Sequence, residues 1–282
     1  MIQYQEALRR ILEHGTTHHD RTGVGTISYF GEIQMSFDLE KSFPILTTKQ
    51  VPLRLIFEEL KWFLLGRTDN QWLLDKKVTI WDEWSTAQQT AHFGRQEGDL
   101  GPVYGYLWRS FGGHYPQKDG VDQIAWLLNE IQRNPNSRRL IVSGWDPATQ
   151  DTVALPPCHT LFQFKIEQEK YLSCKLYQRS ADFFLGVPFN ISSYALLTCM
   201  IAHVMNLKPK KFIHTFGDAH IYNNHMDQVK EILSRKPLPL PQLEFVNADN
   251  LQGLDGLLNF EYENVNLIGY QNLGKIAAPV AI

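Results

Sequence analysis

The run Asn190-Ile191-Ser192-Ser193-Tyr194-Ala195-Leu196-Leu197-Thr198-Cys199-Met200-Ile201-Ala202-His203-Val204-Met205-Asn206 is apolar almost all the way round a helical wheel. A helix without a wet face must be covered on every side, so this segment is expected to be the central buried helix of the fold. Its densest apolar part, residues 194–205, contains His203 and is too short to cross a bilayer.

Outward from that helix, residues 223–235 have the spacing of a further helix, closed by Pro237-Leu238-Pro239-Leu240-Pro241. On the N-terminal side, residues 140–143, 160–166 and 171–177 read as strands. Residues 121–133 read as a helix with Val121, Ile124, Leu128 and Ile131 on one face. Near the start, Ala7, Leu8, Ile11 and Leu12 mark a helix that stops at Gly15, taken as a C′ glycine. Arg21-Thr22-Gly23-Val24-Gly25 then turns into strand-like residues 26–30, and the polar residues 85–98 read as a surface loop. Strands and helices without regular alternation predict an α+β fold: one domain over residues 1–282, a mixed β-sheet covered by helices.

The 282 residues carry a net charge of −3, with 43% apolar and 20% charged residues. No overall field draws the chain to nucleic acid or anionic lipid, so bound anions need a local arginine cluster. The N-terminus lacks the basic and apolar regions of a signal peptide. Cys158, Cys174 and Cys199 cannot all pair and lack disulfide or zinc spacing, so no metal is expected and a reducing cytoplasm is.

Five features can carry chemistry. Cys158 follows Pro156-Pro157, which fix the backbone entering a strand; it is either a packed small side chain or a presented nucleophile. His159 is next to it, but successive strand side chains point to opposite faces, so a nearby cation is the better activator. Arg138-Arg139 and Arg179 offer guanidinium forks for phosphate, or solvated charge. On the helix with Leu53, Ile56, Phe57, Leu60, Phe63 and Leu64 inward, Arg54, Glu58 and Lys61 fall on a wet arc. Glu59 is the inward glutamate, either ion-paired or a proton shuttle of raised pKa. Trp81 and Trp84, three apart, are core or a stacking wall, and His220 and Tyr222 share one face of an extended segment.

Asp20-Arg21-Thr22-Gly23, Thr47-Thr48-Lys49, Ile80-Trp81-Asp82-Glu83-Trp84 and Gly98-Asp99-Leu100-Gly101-Pro102-Val103-Tyr104-Gly105 come in order along the chain. Ser137-Arg138-Arg139, Pro157-Cys158-His159, Gln178-Arg179-Ser180, Leu185-Gly186-Val187-Pro188-Phe189-Asn190, residues 217–225 and Ala278-Pro279-Val280-Ala281-Ile282 follow. Together they resemble thymidylate synthase over essentially the whole chain. The resemblance implies a cytoplasmic, sheet-backed homodimer that methylates dUMP to dTMP, with 5,10-methylenetetrahydrofolate as carbon and hydride donor.

By that resemblance Cys158 attacks uracil C6. Arg21 and Arg179, with Arg138 and Arg139 of the partner subunit, hold the phosphate, beside Ser180 and Ala181. Asn190 reads the uracil edge, and His220 and Tyr222 meet the sugar hydroxyl. Glu59 and Tyr104 move protons. Ile80, Trp81, Trp84, Leu155, Gly186 and Phe189 line the folate site, with Asp182 as a catalytic, substrate and pterin contact. Lys49 meets the folate's glutamate tail, and the terminus with Ala281 closes over it. Gln50, Pro52, Lys61 and Lys275 depart from the usual family pattern. Two rival readings remain: a pyrimidine-nucleotide hydroxymethylase of the same fold, and an RNA-binding regulator, which the net acidity disfavours.

Overall fold

Strand β7 (Lys208–Tyr222) organises the molecule because it pairs with three other strands. In the computed structural model, which describes residues 1–20 and 22–280, it lies between β2 (Thr26–Phe30) and β6 (Tyr171–Asp182). Its lower half pairs with β3 (Gln34–Asp38). Beyond β2 lies β1 (Thr16–His18); beyond β6 lie β5 (His159–Glu167) and then β4 (Ile141–Ser143). β6 and β7 run parallel and the other pairs antiparallel, which makes the sheet mixed, as expected. A separate hairpin joins β8 (Gln242–Phe245) to β9 (Val265–Ile268).

Parallel neighbours need a crossover. Between β6 and β7 it is the central helix, numbered α8 among the helices α1 (Ile2–His14), α2 (Leu53–Leu64), α3 (Asn70–Asp75), α4 (Asp82–Ser85), α5 (Ala87–Ala91), α6 (Tyr104–Arg109), α7 (Gln123–Arg133), α8 (Gly186–Val204), α9 (Met226–Ser234) and α10 (Gly253–Asn259). α8 starts earlier than the sequence indicated, because Pro188 is tolerated in a first turn. At 19 residues it is long and apolar enough to cross a membrane, unlike the twelve-residue run read from sequence, yet it is covered on nearly all sides by sheet and helices. Its buried hydroxyls find carbonyls: Thr198 Oγ1 donates back along the helix to Tyr194 O at 2.7 Å, and Ser192 Oγ donates across to Pro44 O at 2.9 Å. Asn206, with φ of 55°, ends it in the left-handed conformation, and Leu207 N donates to Ala202 O. One continuous core surrounds this helix.

Four local expectations need correction. Gly15 is extended (φ −73°), not left-handed; it is a glycine because a Cβ would lie 2.4 Å from Ile11 O and 2.7 Å from Ile27 Cγ2. Val121 precedes α7, is exposed, and exchanges backbone hydrogen bonds with Phe111. Residues 85–98 are not simply loop: α4 and α5 occupy their start, with Thr86 Oγ1 accepting from Gln89 N. Finally, the wet arc of α2 is dry at two of its three positions. Glu58 and Lys61 are buried, and Lys61 Nζ donates to Phe260 O at 2.5 Å and Glu261 Oε1 at 3.0 Å.

Candidate active site

Cys158 stands at the mouth of β5, half-buried, where the two prolines stiffen the approach. Arg179 on β6 clamps that approach: Nε donates to Pro157 O and Nη2 to Pro156 O, both at 2.9 Å. Its backbone N donates to Cys158 O, and its guanidinium lies 4.9 Å from the Trp145 ring. A fixed positive charge is thus built into the loop that carries the thiol, the setting that favours thiolate. His159 takes the opposite side, packed between Tyr104 and Tyr194 at 4.8 and 5.3 Å. Burial pushes its pKa down to about 4, so it is a neutral wall and not the base of a Cys–His pair. Burial pushes Cys174 and Cys199 up to about 12, which suits packing.

Behind Cys158 lies a floor of uncharged polar groups. Asn190 Oδ1 accepts from Gln178 Nε2 at 3.1 Å, and Gln178 Oε1 bonds His214 Nε2 at 2.8 Å. All three side chains are buried, and His214 is held neutral by burial. The chain fixes the Asn190 amide one way round, and its Nδ2–H donors are directed away from Gln178. Gln178 and His214 were not singled out from the sequence. Strand parity exposes them: Leu172, Cys174, Leu176 and Gln178 point inward together, as do Phe212, His214 and Phe216. A polar residue at an inward position needs partners.

One wall of the cleft is acidic and aromatic. Glu59 is partly buried, and Trp81 Nε1 donates to its Oε1 at 2.8 Å. Burial raises its pKa to about 7, and the Trp81 hydrogen bond opposes that rise only partly. Tyr104 accepts from Cys158 N at 2.6 Å and His159 N at 3.4 Å, so its phenolic proton is free to point elsewhere. Burial keeps that phenol well above its ordinary pKa. Trp81 meets Tyr104 and Trp84 edge to face at 6.1 Å each.

Ile80, Trp84, Leu155 and Phe189 pack on the core yet remain partly uncovered, beside the helix start at Gly186, and offer apolar surface of the kind a flat ligand stacks on. Trp84 Nε1 is a buried donor without a hydrogen-bond partner. Asp182 receives Phe184 N at 2.9 Å and Leu185 N at 3.2 Å on its Oδ1. Lys49 is buried and not presented at the surface: Nζ donates to Phe184 O at 2.6 Å, 4.0 Å from the Phe184 ring, and burial lowers its pKa to about 8.

At the other end of β7, Ser28 and His220 bond Asp218 Oδ1, both at 2.9 Å, and His220 meets the Tyr222 ring at 5.2 Å. Ser180 and Ala181 neighbour them across the sheet; Ala181 is fully buried, which leaves only its backbone to make contacts. Arg21 and Ala281 lie outside the described residues. Arg138 and Arg139 are exposed and far from Cys158 of the same chain. Ile141 pairs with Gln163, which sets Arg139 level with Lys165, seven residues along β5 from Cys158. That is roughly 20 Å of strand. Among the described residues no group of His, Cys, Asp or Glu is arranged to hold a metal.

The family model described as thymidylate synthase matches residues 2–282.

Proposed function

The chain belongs to the thymidylate synthase family, whose members act on deoxyuridylate with a folate cosubstrate, and from that premise we propose that it makes thymidylate. 5,10-Methylenetetrahydrofolate, when bound, supplies both the carbon and the hydride. Cys158 adds as thiolate to uracil C6, and the electron pair moves through C5 toward O4. Arg179 favours the thiolate. Glu59, titrating near 7, holds a proton at the O4 side, and Tyr104 relays the proton lost from C5. Asn190, oriented by Gln178, presents amide hydrogens to the uracil edge. His220 and Tyr222 take the sugar hydroxyl.

The observation that carries a synthase over a hydroxymethylase is the dry wall: Trp81 is 4% exposed, bonded to Glu59 and packed on Tyr104. Water is a poor competitor for hydride in such a pocket. Product analysis with deoxyuridylate and methylenetetrahydrofolate tests this. Thymidylate and dihydrofolate in equal amounts are expected; a hydroxymethylated nucleotide with tetrahydrofolate would move the chain to the hydroxymethylase class.

A homodimer follows from the same reading. Ile141, Leu161 and Tyr177 are exposed apolar side chains on the sheet, a face suited to a second copy. Arg138 and Arg139, too distant to serve Cys158 of their own chain, are then the partner's phosphate ligands. A nucleophilic thiol beside two buried ones suits a reducing compartment, so we assign the protein to the cytoplasm. RNA is not assigned as a partner, and a gel shift with steep salt dependence would overturn that.

A further inference from the structure

The C-terminal segment runs as an extended strap along α9, and the match between them is metric. Arg235 Nη1 lies 3.5 Å from Gly274 O, Gln228 Nε2 donates to Ala277 O at 3.3 Å, and His225 Nε2 donates to Pro279 O at 2.7 Å. Ten residues from Arg235 back to His225 rise about 15 Å as helix. Five residues from Gly274 to Pro279 span about 16 Å as extended chain. Gln228 within α9, with His225 and Arg235 at its two caps, therefore meets three strap carbonyls in a single register. The start of the strap is also tied to the 47–50 segment, since Gln50 N donates to Gly274 O at 2.8 Å and Leu273 N to Thr47 O at 2.9 Å. Beyond it the hold is thin: Lys275, Ala277 and Pro279 are exposed, and only Ile276 and Ala278 pack on the core.

His225 differs from the other two donors. It is fully buried, set 5.2 Å from the Phe184 ring and 5.6 Å from that of Tyr222. Nε2 must carry a hydrogen to reach a carbonyl, which leaves Nδ1 as the second polar atom of the ring. That nitrogen is buried, without a hydrogen-bond partner, and 3.9 Å from Asp182 Oδ1. One imidazole thus touches the strap, the residue assigned to the pterin and the ring assigned to the sugar.

We propose that α9, with its two cap residues, is a rail that sets the register of the C-terminal strap, and that His225 at the N-cap is the positioning residue that fixes the Pro279 carbonyl. A strap displaced by one residue would move residues 274–280 about 3 Å along α9. The role is separate from chemistry: His225 touches no reacting atom.

Lys275 provides a direct readout, since trypsin cleavage after it requires the strap to leave the rail. His225→Gln places an amide nitrogen where Nε2 stood, whereas His225→Asn is too short to reach Pro279. In the protein without ligands, cleavage after Lys275 is expected to be about tenfold faster in His225→Asn, a smaller factor faster in Gln228→Ala, and unchanged in His225→Gln. Equal rates in all four proteins, or faster cleavage in His225→Gln than in His225→Asn, would overturn the proposal. This arm does not depend on the functional reading above.

Turnover supplies the second arm, which rests on that reading. His225→Asn is expected to lower kcat about tenfold with the KM for deoxyuridylate nearly unchanged, and His225→Gln to restore it. In a chain ending at Ala278 the same substitution is expected to add nothing. An equal loss of kcat in the full and shortened chains would mean that His225 acts elsewhere than on the strap.

Discussion

The floor under Cys158 and the strap along α9 are held together in opposite ways. The floor is a chain of buried side chains, Asn190 to Gln178 to His214, joined amide to amide and amide to imidazole. The strap is mostly exposed chain held by side-chain donors from α9 and its two caps and by the Gln50 backbone at its start. A buried chain of this kind is rigid because any broken member leaves a polar group unpaired. An exposed strap opens at low cost, because water replaces what it loses. The first suits recognition of a base that must always be read alike. The second suits a part that has to move aside for two substrates and two products.

The contrast makes ordered predictions. Cys158→Ala is expected to lower turnover by about 10⁴-fold or more while deoxyuridylate still binds, because the floor survives the loss of the thiol. Cys174→Ala and Cys199→Ala remain active. Single-turnover kinetics and calorimetric binding separate the two effects, and near-normal turnover in Cys158→Ala would end the covalent mechanism. Next in size, removal of Ile282 is expected to reduce kcat by one to two orders of magnitude with far less effect on nucleotide binding, since it leaves the floor under Cys158 intact. Unchanged turnover would mean that the strap closes nothing.

Asn190→Asp tests the floor itself. The buried Gln178 amide fixes one orientation, so a mismatched base leaves a group unpaired at about 1–3 kcal/mol, or roughly one to two orders of magnitude in preference. The substitution is expected to lose activity on deoxyuridylate and gain some on deoxycytidylate, measured as the ratio of kcat/KM values. An unaltered ratio would refute the role given to Asn190.

The smallest effect is a shift in pH. Glu59 titrates near 7, so turnover that needs its proton falls as pH rises through that value. Trp81→Phe removes a hydrogen bond that favours the carboxylate, so the limb is expected to move up by about one pH unit, and in Glu59→Gln to vanish. Stability carries the same sign. The folded carboxyl keeps a proton that the unfolded chain gives up above its ordinary 4.5, so this contribution is complete below that pH and lost as pH rises to about 7. Urea midpoints measured across that range in wild type and Glu59→Gln check it.

Much of this was legible in the sequence, for reasons that also mark the limits. α8 has no wet face, so its burial could be read from its own residues. The strands around Cys158 and the inward run of α2 follow from local spacing. Lys61 was placed on a wet arc because its cover, Phe260 and Glu261, lies about 200 residues away. Lys49 likewise sits on Phe184, 135 positions distant, where nothing near it in the chain announces a partner. α4 and α5, of four and five residues, are too short to leave a period. The rail under the strap was not legible because His225, Gln228 and Arg235 meet backbone carbonyls, which carry no sequence signature.

The pairing of β2 with β7 bears on how the chain is made. Ile27 must wait for Ile221, and Met35 for His214, on a strand that follows some 180 residues later. At 5–20 residues per second, the N-terminal strands leave the ribosome roughly 10–40 s before their partner. During that interval Met35 and Phe37, later buried, belong to an unpaired edge that can join another nascent chain. Synthesis, more than the finished protein, is where this sequence is exposed to aggregation, and its yield should depend on chaperones that hold the first forty residues.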